Sequence, residues 1–198
     1  MHKYLPVVKT TGKILLCLIL AMALAGGVTW LTLRSRGDGI HNGPWMTGLS
    51  VGSEHAGVYE RARMAVFGIW ALRSSETIYF TALTDSAGKQ LSHSCSYRIE
   101  GTDPDTRWWS ITPYEGAGLR LIGNPIHRYS VSKTTVARRA DGSWIVRLSR
   151  REQPENWLPL AQTDSRLTLA LRCYNPTDAF RASLATVHLP RIISEGCQ

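Results

Sequence analysis

The chain has 198 residues and a formal net charge of +8, from 23 Lys and Arg against 15 Asp and Glu. Five of the basic residues flank one apolar segment, which leaves 18 against 15 elsewhere and a net charge of +3. So small an excess argues against a nucleic-acid binder, and the remaining length suits a single domain with one core. The five flanking residues are Lys3, Lys9, Lys13, Arg34 and Arg36.

The apolar segment runs from Ile14 to Leu33 and contains no charged side chain. As a helix it would span about 30 Å, the thickness of the hydrocarbon core of a bilayer. We therefore predict a transmembrane helix whose partner is the lipid bilayer. A cleaved secretory signal is the alternative, because Ala23 to Ala25 offers a cleavage site. We favour the uncleaved anchor, since the apolar run resumes at Val28 after two glycines.

The charges around this helix favour a cytoplasmic N-terminus, with three lysines before it against two arginines after it. We predict a basic tail over residues 1–13, the membrane helix over 14–33, a glycine-rich linker over 34–43 and a folded domain over 44–198. The expected location is the inner (cytoplasmic) membrane, as a single-pass protein. The folded domain is then expected in the periplasm or outside the cell.

The four cysteines fit an exported domain. Cys17 lies in the apolar segment and cannot reach the others. Cys173 shares one face of a predicted strand with three leucines, which predicts a buried packing residue. A disulfide between Cys95 and Cys197 would hold the C-terminal tail in place. Three reduced cysteines in a cytoplasmic domain remain the alternative.

The hydrophobic pattern predicts one amphipathic helix followed by short strands. Val58, Ala62, Ala65, Val66 and Ile69 recur at helical spacing, so we expect a helix over about Gly57 to Met64. Beyond it the period changes to two residues. We predict strands at Thr77–Thr84, Cys95–Glu100, Arg107–Tyr114, Arg128–Ser132, Thr135–Arg139, Trp144–Ser149, Arg166–Tyr174 and Ala185–Leu189.

Strands of this length, separated by turns and without alternating helices, predict an all-β fold: an antiparallel β-sandwich or jelly-roll-like domain. Asp141-Gly142 between two strands predicts a hairpin. The glycines of the segment 115–125 lack the spacing of a dinucleotide-binding loop, so we interpret them as a hairpin turn.

An ordered set of short motifs resembles the domain-of-unknown-function 1214 family over about residues 75–197. The motifs are WWSITPY from Trp108, NP at Asn124, RYS at Arg128, DGS at Asp141, NWLP at Asn156 and LRCYNP at Leu171. GPW at Gly43 and the helix near Tyr59 resemble a short, single-pass envelope subgroup that lacks the companion 1254 domain of longer relatives. The resemblance implies a β-sandwich, an aliphatic residue where this chain has Cys173, and no assigned activity.

No residue pattern points to catalysis or to a cofactor. The six histidines are scattered, without the spacing of a metal site, so we predict none. No G-x-S-x-G nucleophile elbow occurs. Asp103 and Asp105 lie in a Thr-Asp-Pro-Asp turn, for which we predict a structural role.

One group of residues could bind a ligand, because Arg and Asn recognise hydroxyl or carboxylate groups and aromatic rings stack on sugars. The alternative is that the aromatic residues fill the sandwich while the arginines cap loop carbonyls. We interpret the protein as a binding or structural module for an envelope protein or glycan. An enzyme acting on carbohydrate or a small polar metabolite is the second hypothesis. The six candidates are Arg128, Tyr129, Asn156, Trp157, Arg172 and Tyr174.

Overall fold

The computed structural model describes residues 5–34, 39–48, 53, 56–66, 72–116 and 119–197. Part of the predicted linker, Ile69 of the predicted helix stripe, and Ala117 and Gly118 of the predicted turn lie outside these residues. The first helix, α1, covers Leu5–Arg34. Its segment Thr11–Thr32 is long and apolar enough to cross a membrane and is not buried in the structure. The helix fits either a single-pass anchor or a signal sequence.

Within the described residues, the strands form two sheets that pack face to face, so the predicted all-β sandwich is confirmed. The larger sheet has the order β1-β2-β3-β10-β5-β6, with β7 also paired to β5. Its strands are β1 (Ile40–Asn42), β2 (Trp45–Thr47), β3 (Thr77–Ala82), β5 (Thr106–Glu115), β6 (Arg120–Leu121), β7 (Val131–Ser132) and β10 (Leu167–Pro176).

The smaller sheet has four strands in the order β11-β4-β8-β9. They are β4 (Cys95–Gly101), β8 (Trp144–Ser149), β9 (Trp157–Pro159) and β11 (Arg191–Cys197). The pairs β4–β8 and β4–β11 are antiparallel, whereas β8 and β9 run parallel. Two short helices complete the described elements: α2 (Val58–Val66) and α3 (Asp178–Ala182).

Apolar residues at alternate strand positions fill the space between the sheets. On β10 these are the three leucines and Cys173, as the alternation predicts. Trp109 of the larger sheet stacks on Trp144 of the smaller one, with ring centroids 4.7 Å apart. Burial raises the pKa of the Cys173 thiol to about 12, so this cysteine is a packing residue. The core therefore fixes which side of each strand faces outward.

The C-terminal strand lies beside β4, where Cys197 is the register partner of Cys95. Their sulfur atoms are 1.96 Å apart, at disulfide-bonding distance, in the pairing that the sequence predicts. Cys17 is exposed on α1. The C-terminal tail is thus held both by strand pairing and by a cysteine pair.

Two predicted strands are wrong. Thr135–Arg139 makes only an isolated bridge at Arg138, because the backbone of Ala137 binds the side chain of Asn156 and not a neighbouring strand. The strand predicted at Ala185–Leu189 is a turn after α3, in which Thr186 N and Val187 N donate to Ser183 O. The strand lies after Pro190 instead.

The larger sheet begins earlier in the chain than the sequence suggests. β1 pairs with β2 across Gly43-Pro44, and the register joins Asn42 to Trp45. Gly43 adopts a φ of +57° there, which favours glycine. Residues 40–42 therefore form a strand although they fall in the segment predicted as a linker.

Candidate functional site

The six candidate residues do not form one cluster. Trp157 is the register partner of Arg147, on the outer face of the smaller sheet. Asn156 and Arg128 lie beside it, because Asn156 precedes Trp157 and Arg128 Nη1 donates to Trp157 O at 3.2 Å. Arg172 lies on the outer face of the larger sheet. The sandwich therefore separates the two groups.

Asn156 holds two chain segments together. Its Oδ1 accepts from Ala137 N at 2.7 Å, and its Nδ2 donates to the carbonyls of Ala137 and Ile145, each at 2.8 Å. Both amide donors are thereby used. The side chain is only 9% exposed. Asn156 thus joins the loop before β8, at Ala137, to β8 itself, at Ile145.

Arg128, Tyr129 and Trp157 also bind parts of their own fold. The backbone of Arg128 is held at both N and O by the side chain of Asn124. Tyr129 OH lies 3.4 Å from His127 Nδ1. Trp157 Nε1 donates to Ser149 O at 3.0 Å, and its ring is buried outside the central core. These contacts match the loop-capping alternative for Arg128.

Arg172 and Tyr174 lie on the outer face of the larger sheet because Leu171 and Cys173, the alternating residues, face the core. Strand register brings further aromatic residues to the same face. Tyr79 of β3 is the partner of Arg172, and Trp108 of β5 is the partner of Tyr174. We call the set Tyr79, Trp108, Tyr114, Arg172 and Tyr174 the Arg172 face.

The Arg172 guanidinium lies along the sheet. Its Nη1 donates to Thr112 Oγ1 at 3.2 Å and its Nη2 donates to Tyr114 OH. Its central carbon is 5.5 Å from the centroid of the Tyr114 ring. The small side chains of Ala170 and Thr112, which are register partners, leave room for it on the sheet surface. Among the described residues, no carboxylate pairs with Arg172.

The phenol groups around Arg172 are close enough to influence one another. Burial raises the pKa of Tyr174, the positive charge of Arg172 opposes that rise, and Tyr79 and Tyr114 add to it. The Tyr174 ring meets Trp108 edge to face, with centroids 5.2 Å apart. Tyr79 OH accepts from Leu72 N at 3.0 Å. Because its pKa is raised, the Tyr174 phenol is protonated at neutral pH and can donate a hydrogen bond.

The Arg172 face offers one cation, several hydroxyl donors and half-buried aromatic rings. Arg172, Tyr79, Trp108 and Tyr174 are all half-buried, so solvent reaches them. A guanidinium that is bound only by neutral hydroxyls keeps donors for a carboxylate or a vicinal hydroxyl pair. The arrangement therefore suits binding of a polar, ring-shaped ligand.

The two turn aspartates have structural partners, as predicted. Asp103 accepts from Trp109 Nε1 at 3.0 Å and pairs with Arg138. Asp105 accepts from Thr177 Oγ1 at 2.6 Å, next to the start of α3. Both line an open cavity of about 300 Å³ beside that helix. In the described part of the chain, no three His, Cys, Asp or Glu side chains are grouped as a metal site would require.

A family model described as "Protein of unknown function (DUF1214)" matches residues 76–178, just over half of the chain. The chain belongs to this family. All five residues of the Arg172 face lie within the matched DUF1214 region, and so do the other four candidates. No curated protein matches the chain.

The DUF1214 chain is similar to two solved structures. The VPA0106 protein from Vibrio parahaemolyticus has 24% sequence identity and a TM-score of 0.58, over 72% of this chain and 36% of that protein. An uncharacterised protein from Burkholderia cenocepacia has 18% identity and a TM-score of 0.42, over 62% and 30% of the two chains. The first likeness shows the fold alone. This chain thus spans about a third of the length of these two proteins.

Sequence reasoning missed Tyr79, Trp108 and Tyr114. The signal was present, because each alternates with a core residue on a predicted strand, so each had to face away from the core. Alternation could not predict that β10 pairs with both β3 and β5. This pairing is what brings the three aromatic residues close to Arg172.

Proposed function

We propose that this protein is a membrane-anchored binding module of the cell envelope that recognises a glycan through the Arg172 face. The observation that carries the proposal is the half-buried guanidinium of Arg172, whose hydrogen-bond partners among the described residues are hydroxyl groups and which lies among four aromatic residues. Arginine binds carboxylates in a two-pronged geometry, and tyrosine and tryptophan present a flat apolar surface with a polar edge. A sugar ring that carries a carboxylate offers a partner for the guanidinium and a ring face that can stack on the aromatic side chains.

The anchor half of the proposal rests on α1. Its apolar segment Thr11–Thr32 is unburied and is followed closely by the first strand at Ile40. We propose that it stays in the inner membrane as a single-pass anchor, with the domain in the periplasm or outside the cell. The Cys95–Cys197 pair supports an oxidising compartment, where disulfides persist.

Binding is tested by calorimetry on the full chain in detergent. The probes are a galacturonic-acid oligosaccharide and its uncharged methyl ester. We expect the acid to bind more tightly, and Arg172→Gln to weaken its binding by about 10- to 100-fold, as the loss of a charge-assisted hydrogen bond implies. Tyr174→Phe should weaken it less, since it keeps the ring.

Arg120→Gln is the matched control, because Arg120 lies on the neighbouring β6 and its exposed ion pair with Glu115 contributes little. Arg172→Lys should restore part of the affinity, since it keeps the charge but loses the planar fork. The glycan proposal is overturned if neither sugar binds. It is also overturned if Arg120→Gln and Arg172→Gln weaken binding equally.

The location is tested separately with a membrane-impermeant maleimide on intact spheroplasts. Ala140→Cys, in an exposed loop of the domain, should be labelled from outside, whereas Lys9→Cys should be labelled only after lysis. Both variants carry Cys17→Ser to remove the native thiol on α1. The reverse pattern would place the domain in the cytoplasm.

A further inference from the structure

The helix α2 stands outside the sandwich core. None of its described side chains belongs to the buried cluster between the sheets. Val58 is 82% exposed, and Ala65, two turns later, is exposed as well. Residues seven apart lie on one face of a helix, so these two mark an apolar stripe that the domain leaves uncovered. A stripe of this kind needs an apolar partner.

The position of α2 along α1 indicates what that partner is. Tyr59 OH lies 3.5 Å from Thr29 Oγ1. Thr29 belongs to the apolar segment of α1, which ends at Thr32. Three residues of helix rise about 5 Å, so the contact lies about 5 Å inside the end of that segment. Helices that lie in a membrane interface bury their apolar face about 5–10 Å deep.

The chemistry around this contact also fits a membrane interface. Trp30, next to Thr29, is exposed, and tryptophan is enriched where the hydrocarbon core meets water. Tyr59 likewise combines an apolar ring with a hydroxyl and is partly exposed. Arg61 is exposed on α2, and its Nε donates to Ala56 O. Two aromatic residues, Trp30 of α1 and Tyr59 of α2, therefore belong to this contact or adjoin it, and a basic residue follows Tyr59 two positions later.

We propose that α2 is an interfacial helix, with Val58 and Ala65 in contact with the lipids of the bilayer that α1 spans. This inference rests on the membrane-anchoring half of the proposed function. The protein then contacts the membrane through two elements, a spanning helix and a surface helix. The surface helix prevents the domain from rotating freely about its anchor.

The test is fluorescence of the full chain in vesicles of phosphatidylcholine and phosphatidylglycerol. An environment-sensitive NBD label is placed at Val58→Cys in a Cys17→Ser background, where the remaining native cysteines are buried or paired. We expect blue-shifted emission, and quenching by a nitroxide attached near the top of a lipid acyl chain. Leu121→Cys, an exposed apolar position on β6, is the matched control and should show emission typical of water.

Leu24→Cys on α1 reports the anchor itself. If the label at position 24 is quenched from lipid while that at 58 resembles the control, the surface-helix proposal is overturned and the anchor stands. If position 24 is also in water, both proposals fail. If the label at 58 is shielded without lipid quenching, and the shielding grows with protein concentration, a second copy of the chain covers α2 and the proposal is again overturned.

Discussion

Replacing Asn156 by alanine should destabilise the fold, although the sequence alone makes this residue a ligand-binding candidate. The substitution leaves Ala137 N, Ala137 O and Ile145 O without their partner. The bond to Ile145 O is buried and the other two are half-buried. At about 1 kcal/mol for each half-buried bond and about 1–3 kcal/mol for the buried one, the loss is about 3 kcal/mol once water replaces part of it.

The assay is thermal unfolding of the full chain in detergent, followed by circular dichroism. For a domain of this size, 3 kcal/mol corresponds to a fall in melting temperature of about 6–12 °C. Asn124→Ala is the matched control. Asn124 also makes three side-chain bonds, but all join residues within four positions of it and are largely solvent-accessible. We expect that variant to lose only about 1 kcal/mol.

The reasoning would be refuted if Asn156→Ala melted no lower than Asn124→Ala. A normal melting temperature combined with lost glycan binding would be a stronger contradiction, because it would make Asn156 a ligand contact. Asn156→Asp should destabilise the fold at least as much as Asn156→Ala, since it keeps the acceptor for Ala137 N but places a largely buried carboxylate oxygen against the carbonyls of Ala137 and Ile145.

Three further predictions concern groups that the core or the strand pairing holds. Cys95→Ser with Cys197→Ser should lower the free energy of unfolding in guanidinium titration by up to about 4.7 kcal/mol, because the pair closes a loop of separation 102. Burial lowers the pKa of His93 below 6.5, so the unfolded state binds its proton first and stability falls as the pH drops below 6.5; His93→Asn should flatten this fall in melting temperature. Cys173, with a pKa of about 12, should resist alkylation at pH 8 until the chain unfolds, as mass spectrometry of tryptic peptides would show.

Each of these predictions has a contradicting result. Equal unfolding midpoints with and without reductant would argue against a bridge between Cys95 and Cys197. For His93, asparagine can accept the bond from Ala161 N that Nδ1 now accepts, so an unchanged acid profile would exclude this histidine as the cause. Alkylation of native Cys173 would show that the sandwich opens there.

Alternation predicted the strands that are buried on one face and solvated on the other. β10 is the clearest case, because Leu167, Leu169, Leu171 and Cys173 all enter the core. β8 has the predicted bounds, Trp144–Ser149. The failures share a cause: local pattern does not reveal which backbone groups a distant side chain binds. Asn42 Nδ2, for example, donates to the carbonyl of Val187, inside the segment that was predicted to be a strand, and to that of Leu184, just before it.

The last strand shows the opposite failure. Arg191–Cys197 contains arginine, serine, glutamate and glycine, and its pattern does not predict a strand. It forms because β4 offers an unpaired edge, along which Ile192 pairs with Ile99 and Cys197 with Cys95. The three-residue β9 has a different cause: it pairs in parallel with β8, the strand just before it, at positions such as Arg147 and Trp157, although parallel neighbours usually need a longer connection.

The candidate site shows the same limit: the sequence indicates which residue types could bind a ligand, but not which of them lie together. Sequence reasoning identified Arg172 and Tyr174 because arginine and tyrosine can bind sugars, but it grouped them with Arg128 and Asn156 only by composition. Which side chains lie together depends on which strands are neighbours, and therefore on the order of strands in the sheet. Knowing that β10 lies between β3 and β5 would have replaced Asn156 and Arg128 by Tyr79, Trp108 and Tyr114.

The short connection between α1 and the sandwich limits how far the domain can reach. α1 ends at Arg34 and β1 begins at Ile40, so even a fully extended connection covers at most about 20 Å. If α1 is anchored in lipid, the first strand of the domain remains within that distance of the bilayer. The glycan that we propose as its ligand would then have to lie at the membrane surface, as a lipid-linked or membrane-proximal glycan does, because the domain could not reach a polymer layer farther out.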